Sequence, residues 1–147
     1  FSFIKNNCNS KVKKAKKKSD SDLKLIKETE NLLKGLRNDM ENQNLNNYIK
    51  SAINISFLTN KYVNDEEPWK LKKKDIDKMN NILFISLEQI AKISMLLNPV
   101  IPLSTSKVLD ALNVKTNIRN LDFLDGKNIL TDDIKIKNLD ILFKKTN

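Results

Sequence analysis

Histidine is absent from the 147 residues, and cysteine occurs once, as Cys8. Those shortages remove most catalytic and metal chemistry: there is no imidazole base, no Cys/His set of zinc spacing and no disulfide pair. One free thiol is compatible with a reducing compartment and bounds little else. Glycine (2) and proline (3) are also scarce. Long periodic segments with few breakers favour helices over a sheet. No apolar run approaches the roughly 20 residues of a membrane span, so no membrane partner is expected. The opening Phe1-Ser2-Phe3-Ile4-Lys5 is neither a start methionine nor a signal peptide, and it reads as a cut inside a longer protein.

Lys, Asn, Leu and Ile dominate what remains. A hydrophobic content of 39% and a mean hydropathy of −0.48 suit one globular domain with a single core. The net charge is 27 − 18 = +9. Six lysines and no acid fall within residues 11–18, leaving 9 − 6 = +3 elsewhere. Such a run attracts phosphate backbones in a salt-dependent, sequence-independent way. A solvated, mobile loop with no dedicated ligand is the alternative reading.

Taken in order, residues 1–8 read as the last turns of a helix, with Phe1, Ile4 and Cys8 on one face. Ser19-Asp20-Ser21-Asp22 offers caps for a helix start. Leu23, Ile26, Leu33, Leu36 and Met40 then mark one helix to about residue 41. Gly35 is placed inside that helix, weakening it by about 1 kcal/mol relative to alanine. Asn44 caps the next, whose stripe is Leu45, Tyr48, Ile49, Ala52, Ile53 and Phe57, continuing toward Asn60 and Val63. A polar connector follows, holding the only tryptophan, Trp69, directly after Pro68. Asp75 caps the longest helix, with Met79, Ile82, Leu83, Ser86, Leu87, Ile90, Ile93 and Leu97 on its main face. Phe84, Ile85, Ala91 and Leu96 widen that arc enough to make it the central helix. Asn98-Pro99 stops it, and Pro102 and Ser104 restart a short helix carrying Val108, Leu109 and Leu112.

The expected fold is all-α: an antiparallel bundle of four to five helices over residues 1–114. Residues 115–147 read as an extended C-terminal tail with a turn at Asp125-Gly126 and one short strand. Its isolated apolar pairs (Leu121/Phe123, Ile129/Leu130, Ile134/Ile136, Leu142/Phe143) would need another surface, expected on a missing catalytic part.

The motifs carry a resemblance. The order Asn60-x-Tyr62, Glu67-Pro68-Trp69-x-Leu71, Lys74-Asp75, then a long helix ending Leu97-Asn98-Pro99-Val100-Ile101-Pro102, resembles the anticodon-binding domain of methionyl-tRNA synthetases. Ser2-Phe3-Ile4-Lys5-Asn6-Asn7-Cys8 is similar to that family's first helix just after its Asn-Leu-x-x-Arg motif. Leu142-Phe143 is similar to the ending of the shorter, bacterial and organellar forms. The Asn and Arg which that family uses on the first helix would precede Phe1, and the nucleotide-binding signatures are absent. Ala15-Lys16-Lys17-Lys18-Ser19 echoes the family's K-M-S-K-S loop superficially, but it follows the first helix and lacks the Met.

The resemblance implies the C-terminal domain of a class I methionine-tRNA ligase that uses ATP, with Mg, to activate methionine and esterify tRNA. The fragment itself would hold no cofactor and be inactive alone. Its partners would be the CAU anticodon loop of tRNA(Met) and its own N-terminal catalytic domain, in the cytoplasm or in a mitochondrial or other organelle matrix. Trp69 would stack on the first anticodon base, a cytosine, with Pro68 fixing the ring. Lys70, Lys72 and Lys73, with Lys74, would neutralise loop phosphates. Asn60 can bond a base edge or tie down the connector, and Tyr62 packs. No residue is assigned a catalytic or metal-binding role. The competing readings are the anticodon domain of another class I synthetase, and a non-catalytic basic bundle that binds RNA or scaffolds protein contacts.

Overall fold

In this computed structural model the described residues are 1–124, 128–140 and 142–143. The chain opens with α1 (Ser2–Asn7), β1 (Lys11–Val12), α2 (Asp20–Leu33) and α3 (Leu36–Glu41). It continues through α4 (Leu45–Glu66), α5 (Pro68–Leu71), α6 (Ile76–Leu97) and α7 (Pro102–Ala111). Two 3-10 turns (Thr116–Ile118 and Leu121–Phe123) and β2 (Ile134–Lys135) complete it.

Short polar side chains open the long helices, where the first N–H groups have no partner within the helix. Ser19 and Asp22 close a capping box at α2, each side chain accepting the other's backbone N–H. Asn44 accepts from Asn47 N–H at 3.4 Å, and Asp75 from Lys78 N–H at 2.8 Å. Asn98-Pro99 ends α6, and Pro102 occupies the first turn of α7, where its missing N–H is no loss.

α6 is the central element, flanked by α4, α7, α5 and β1. Ile82, Leu87, Ala91 and Leu96 have almost no exposure. α4 presents Tyr48, Ala52, Ile55, Thr59 and Tyr62 to the interior, one residue per turn. Tyr48 Oη donates to Leu96 O at 2.8 Å, so the start of α4 lies against the end of α6. The two helices therefore run antiparallel. Among the described residues no helix is long and apolar enough to cross a membrane.

Four expectations are corrected. Gly35 is not inside a helix: its φ of +89° is left-handed, and it separates α2 from α3. The inward faces of α2 and α4 are rotated from the expected stripes. Leu25, Thr29 and Leu33 are buried on α2 while Leu23 is exposed, and on α4 Phe57 is 66% exposed. Small and hydroxylic residues hold these seams: Thr59 Oγ1 donates to Ile55 O and Thr29 Oγ1 to Gln89 Oε1, so each hydroxyl fits a close contact with its own hydrogen bond made.

The lysine-rich run 11–18 is stitched down. Asn80 and Asn81 of α6 bond the backbone of Lys13, Lys16 and Lys17, and Asp133 accepts from Lys14 N–H at 2.7 Å. The tail, finally, finds its surface on this bundle. Leu124, Ile129, Leu130, Ile134 and Ile136 are buried in the main core. Glu88 on α6 accepts the N–H groups of Ile129 and Leu130 at 2.7 and 2.8 Å. The expected short strand is β2, paired antiparallel with β1. The expected turn at Asp125-Gly126 lies outside the described residues.

Candidate RNA interface

The connector between α4 and α6 is a fixed corner. Glu67, at φ 45° and ψ 56°, ends α4 and begins α5 in one residue. A left-handed side-chain-bearing residue is strained and needs surroundings that impose it. Pro68 follows it, buried at the first turn of α5, with its φ preset for a helix. Behind α5, Lys74 N–H and Asp75 N–H both reach Leu71 O at 2.9 Å, closing the chain into α6.

Three helix ends are bolted together below this corner. Tyr62 of α4 donates its hydroxyl to the buried Asp22 at the start of α2. Burial, and then that bond to a carboxylate, push the Tyr62 phenol well up. Glu66 pairs with Lys78 of α6 at 3.0 Å. A hydroxyl bond from Ser21 holds the Glu66 carboxyl below its ordinary value; partial burial opposes this and Lys78 reinforces it.

Trp69 therefore stands on a rigid base, and it is 46% exposed. A tryptophan buried for stability alone hides most of its large surface; here half the ring is left for something else. Lys70, Lys72, Lys73 and Lys74 accompany it with no acid in residues 69–74. They are not equivalent. Lys70 pairs with Glu67 at 2.7 Å, an exposed pair of the kind that contributes about 0–1 kcal/mol. Lys72 Nζ reaches Asn7 Oδ1 of α1 at 2.7 Å. Lys73 and Lys74 are exposed. Lys72 and Lys73 follow Trp69 by three and four residues, the spacing that puts side chains on one helix face. Lys72 keeps helical dihedrals, so it shares the tryptophan's face.

Asn60 lies on α4 rather than in the connector, exposed and two turns before its end. Among the described residues its carboxamide has no hydrogen-bond partner. Tyr62 packs, as its place on the inward face requires. Sequence reasoning missed Asn7, which anchors Lys72 from another helix. It also missed Ile76, 57% exposed at the start of α6 beside the connector. Its only sequence signal was a large apolar residue directly after a helix cap.

A family model described as the anticodon binding domain of methionyl tRNA ligase matches residues 12–147. The methionine-tRNA ligase of Phocaeicola vulgatus is 34% identical over 96 residues, 65% of this chain and 14% of that protein. That of Rhizobium meliloti is 29% identical over 124 residues, 84% of this chain and 24% of that protein. This chain thus spans less than a quarter of the length of these relatives. The apo form of Mycobacterium tuberculosis methionyl-tRNA synthetase shares the fold, with a TM-score of 0.88 and 22% identity, over 99% of this chain and 30% of that one. By the match to residues 12–147, the chain belongs to the family of anticodon-binding domains of methionyl-tRNA ligases.

Proposed function

We propose that this domain selects tRNA(Met) by its CAU anticodon, stacking the first anticodon base on Trp69. The observation that carries this reading is the half-exposed ring on a corner fixed by Pro68 and Glu67. Stacking an unpaired base on an aromatic contributes about 1–3 kcal/mol per base. A ring held in place beforehand loses little entropy when the base arrives. Lys72, on the ring's face, and Lys73, next to it in the chain, neutralise the adjoining phosphates, and Lys70 joins them by exchanging Glu67 for phosphate. The exposed carboxamide of Asn60 offers a donor and an acceptor to a base edge.

Within a full-length ligase this binding presents tRNA to a separate catalytic domain. There ATP, with Mg, activates methionine before its transfer to tRNA. The domain's share is binding energy and specificity, so the isolated fragment is expected to be inactive. The compartment would be the cytoplasm or an organelle matrix.

Trp69 is its own probe. Fluorescence titration with anticodon stem-loops should show quenching by CAU that disappears when the first base is changed. Equal quenching by both would replace this reading with a charge-driven, sequence-independent binder. Silence from both, repeated in the full-length protein, would remove Trp69 from the interface.

A further inference from the structure

A second feature lies beside Trp69, around the corner of the connector. An open cavity of about 600 Å³ is bounded by the end of α1, β1, the start of α6 and β2. Lys11, Lys13, Lys72 and Lys135 line it against a single acid, Asp133, with Ile76 on one wall. The strand register sets Lys11 directly opposite Lys135. Lys13, just past the end of β1, lines the same cavity. Like charges directly opposite in a strand pair repel. Nothing within the described residues relieves them: none of Lys11, Lys13 or Lys135 has an ion-pair partner. Asp133 already accepts the Lys14 N–H. Val12 and Ile134, buried and paired with each other in the ribbon, also line the cavity and give it an apolar floor between the lysines.

We infer that this groove is a second RNA site, taking the phosphodiester backbone of the anticodon-loop nucleotides next to the base on Trp69. An anion between Lys11 and Lys135 turns a repulsive pair into a clamp. The exposed Ile76 offers the sugar or base an apolar wall. Lys72 joins the two sites, since it shares the face of Trp69 and lines the groove. The inference rests on the reading of α5 as an RNA-binding face, but its test is separate.

The full-length protein would be titrated with labelled CAU stem-loop over a series of salt concentrations. Wild type would be compared with the triple variant Lys11→Gln/Lys13→Gln/Lys135→Gln. A control of equal charge, Lys24→Gln/Lys27→Gln/Lys107→Gln, alters exposed lysines elsewhere. The groove variant should bind about tenfold more weakly at low salt, and the slope of log affinity against log salt should shrink by about 0.7–1.4, corresponding to one or two phosphates. The control should change affinity less than twofold. Equal effects from both variants, or none from either, would overturn the groove. A wild-type protein that fails to distinguish CAU from a changed first base would remove the Trp69 reading, while the contrast between variants still decides the groove. Displacement of the stem-loop from the wild-type protein by millimolar inorganic phosphate, with no loss in the groove variant, would reassign it to small phosphate ligands.

Discussion

Trp69 and Glu66 sit three residues apart and do different work. Replacing Trp69 with alanine removes little core, because the ring is 46% exposed, and on the proposed reading it removes the stacking surface. Affinity for the CAU stem-loop should fall about 10–100-fold, the equivalent of roughly 1.4–2.8 kcal/mol. The melting temperature should move by no more than a few degrees, as parallel anisotropy titrations and thermal melts would show. Glu66 is a stability residue. Its carboxyl is held below the ordinary value of 4.5 by Ser21 first and Lys78 after it. A depressed carboxylate contributes stability that is present above its unfolded pKa and lost as pH falls through the folded one. Glu66→Gln should therefore be less stable than wild type near neutral pH, with the gap closing as pH drops below about 4.5. Urea midpoints measured from neutral to acid pH would show it. The exposed Trp69 corner was legible because proline, tryptophan and lysines are neighbours in the chain. The ties of Glu66 to Ser21 and of Lys72 to Asn7 join different elements, and no local pattern announces them.

Among the elements, the α2–α3 junction gives the sharpest contrast between sequence and structure. Read as helix interior, Gly35 should be improved by alanine. Its left-handed φ of +89° reverses the sign. Nothing lies within 4 Å of an added Cβ, so the effect is backbone strain alone. Gly35→Ala should destabilise by about 1–2 kcal/mol, and Gly35→Asn by less, in urea denaturation. Helix starts and stops were legible from Ser19, Asn44, Asp75 and Asn98-Pro99, because capping chemistry is local. The inward faces of α2 and α4 were harder. Hydrophobicity favoured Leu23, Ile53 and Phe57, whereas close helix packing selected Thr29 and Thr59.

At the scale of the whole molecule, the tail decides whether the bundle closes. Ile129, Leu130, Ile134 and Ile136 are all buried in the main core. Each such side chain contributes about 1.5–3 kcal/mol when fully buried. Deleting residues 128–147 thus removes an amount comparable to the entire stability of a typical domain, about 5–15 kcal/mol. The shortened chain should lose its cooperative urea transition, and Glu88→Ala should speed amide exchange at Ile129 and Leu130 without abolishing folding. Sequence periodicity showed that these residues were apolar and extended. It could not show that α6 would receive them, because their partners lie far away along the chain.

That distance has a consequence in time. β1 at Val12 meets its partner at Ile134, a separation of 134 − 12 = 122 residues. A growing chain makes Lys11 before Lys135, and at about 5–20 residues per second the interval is on the order of ten seconds. Through that interval the helices can form, yet Lys11 has no counterpart across the ribbon. A partly made chain can display Trp69 but not the paired lysines beside it. Within this domain the groove is completed only after β2 is made, and its appearance marks a chain whose tail has docked.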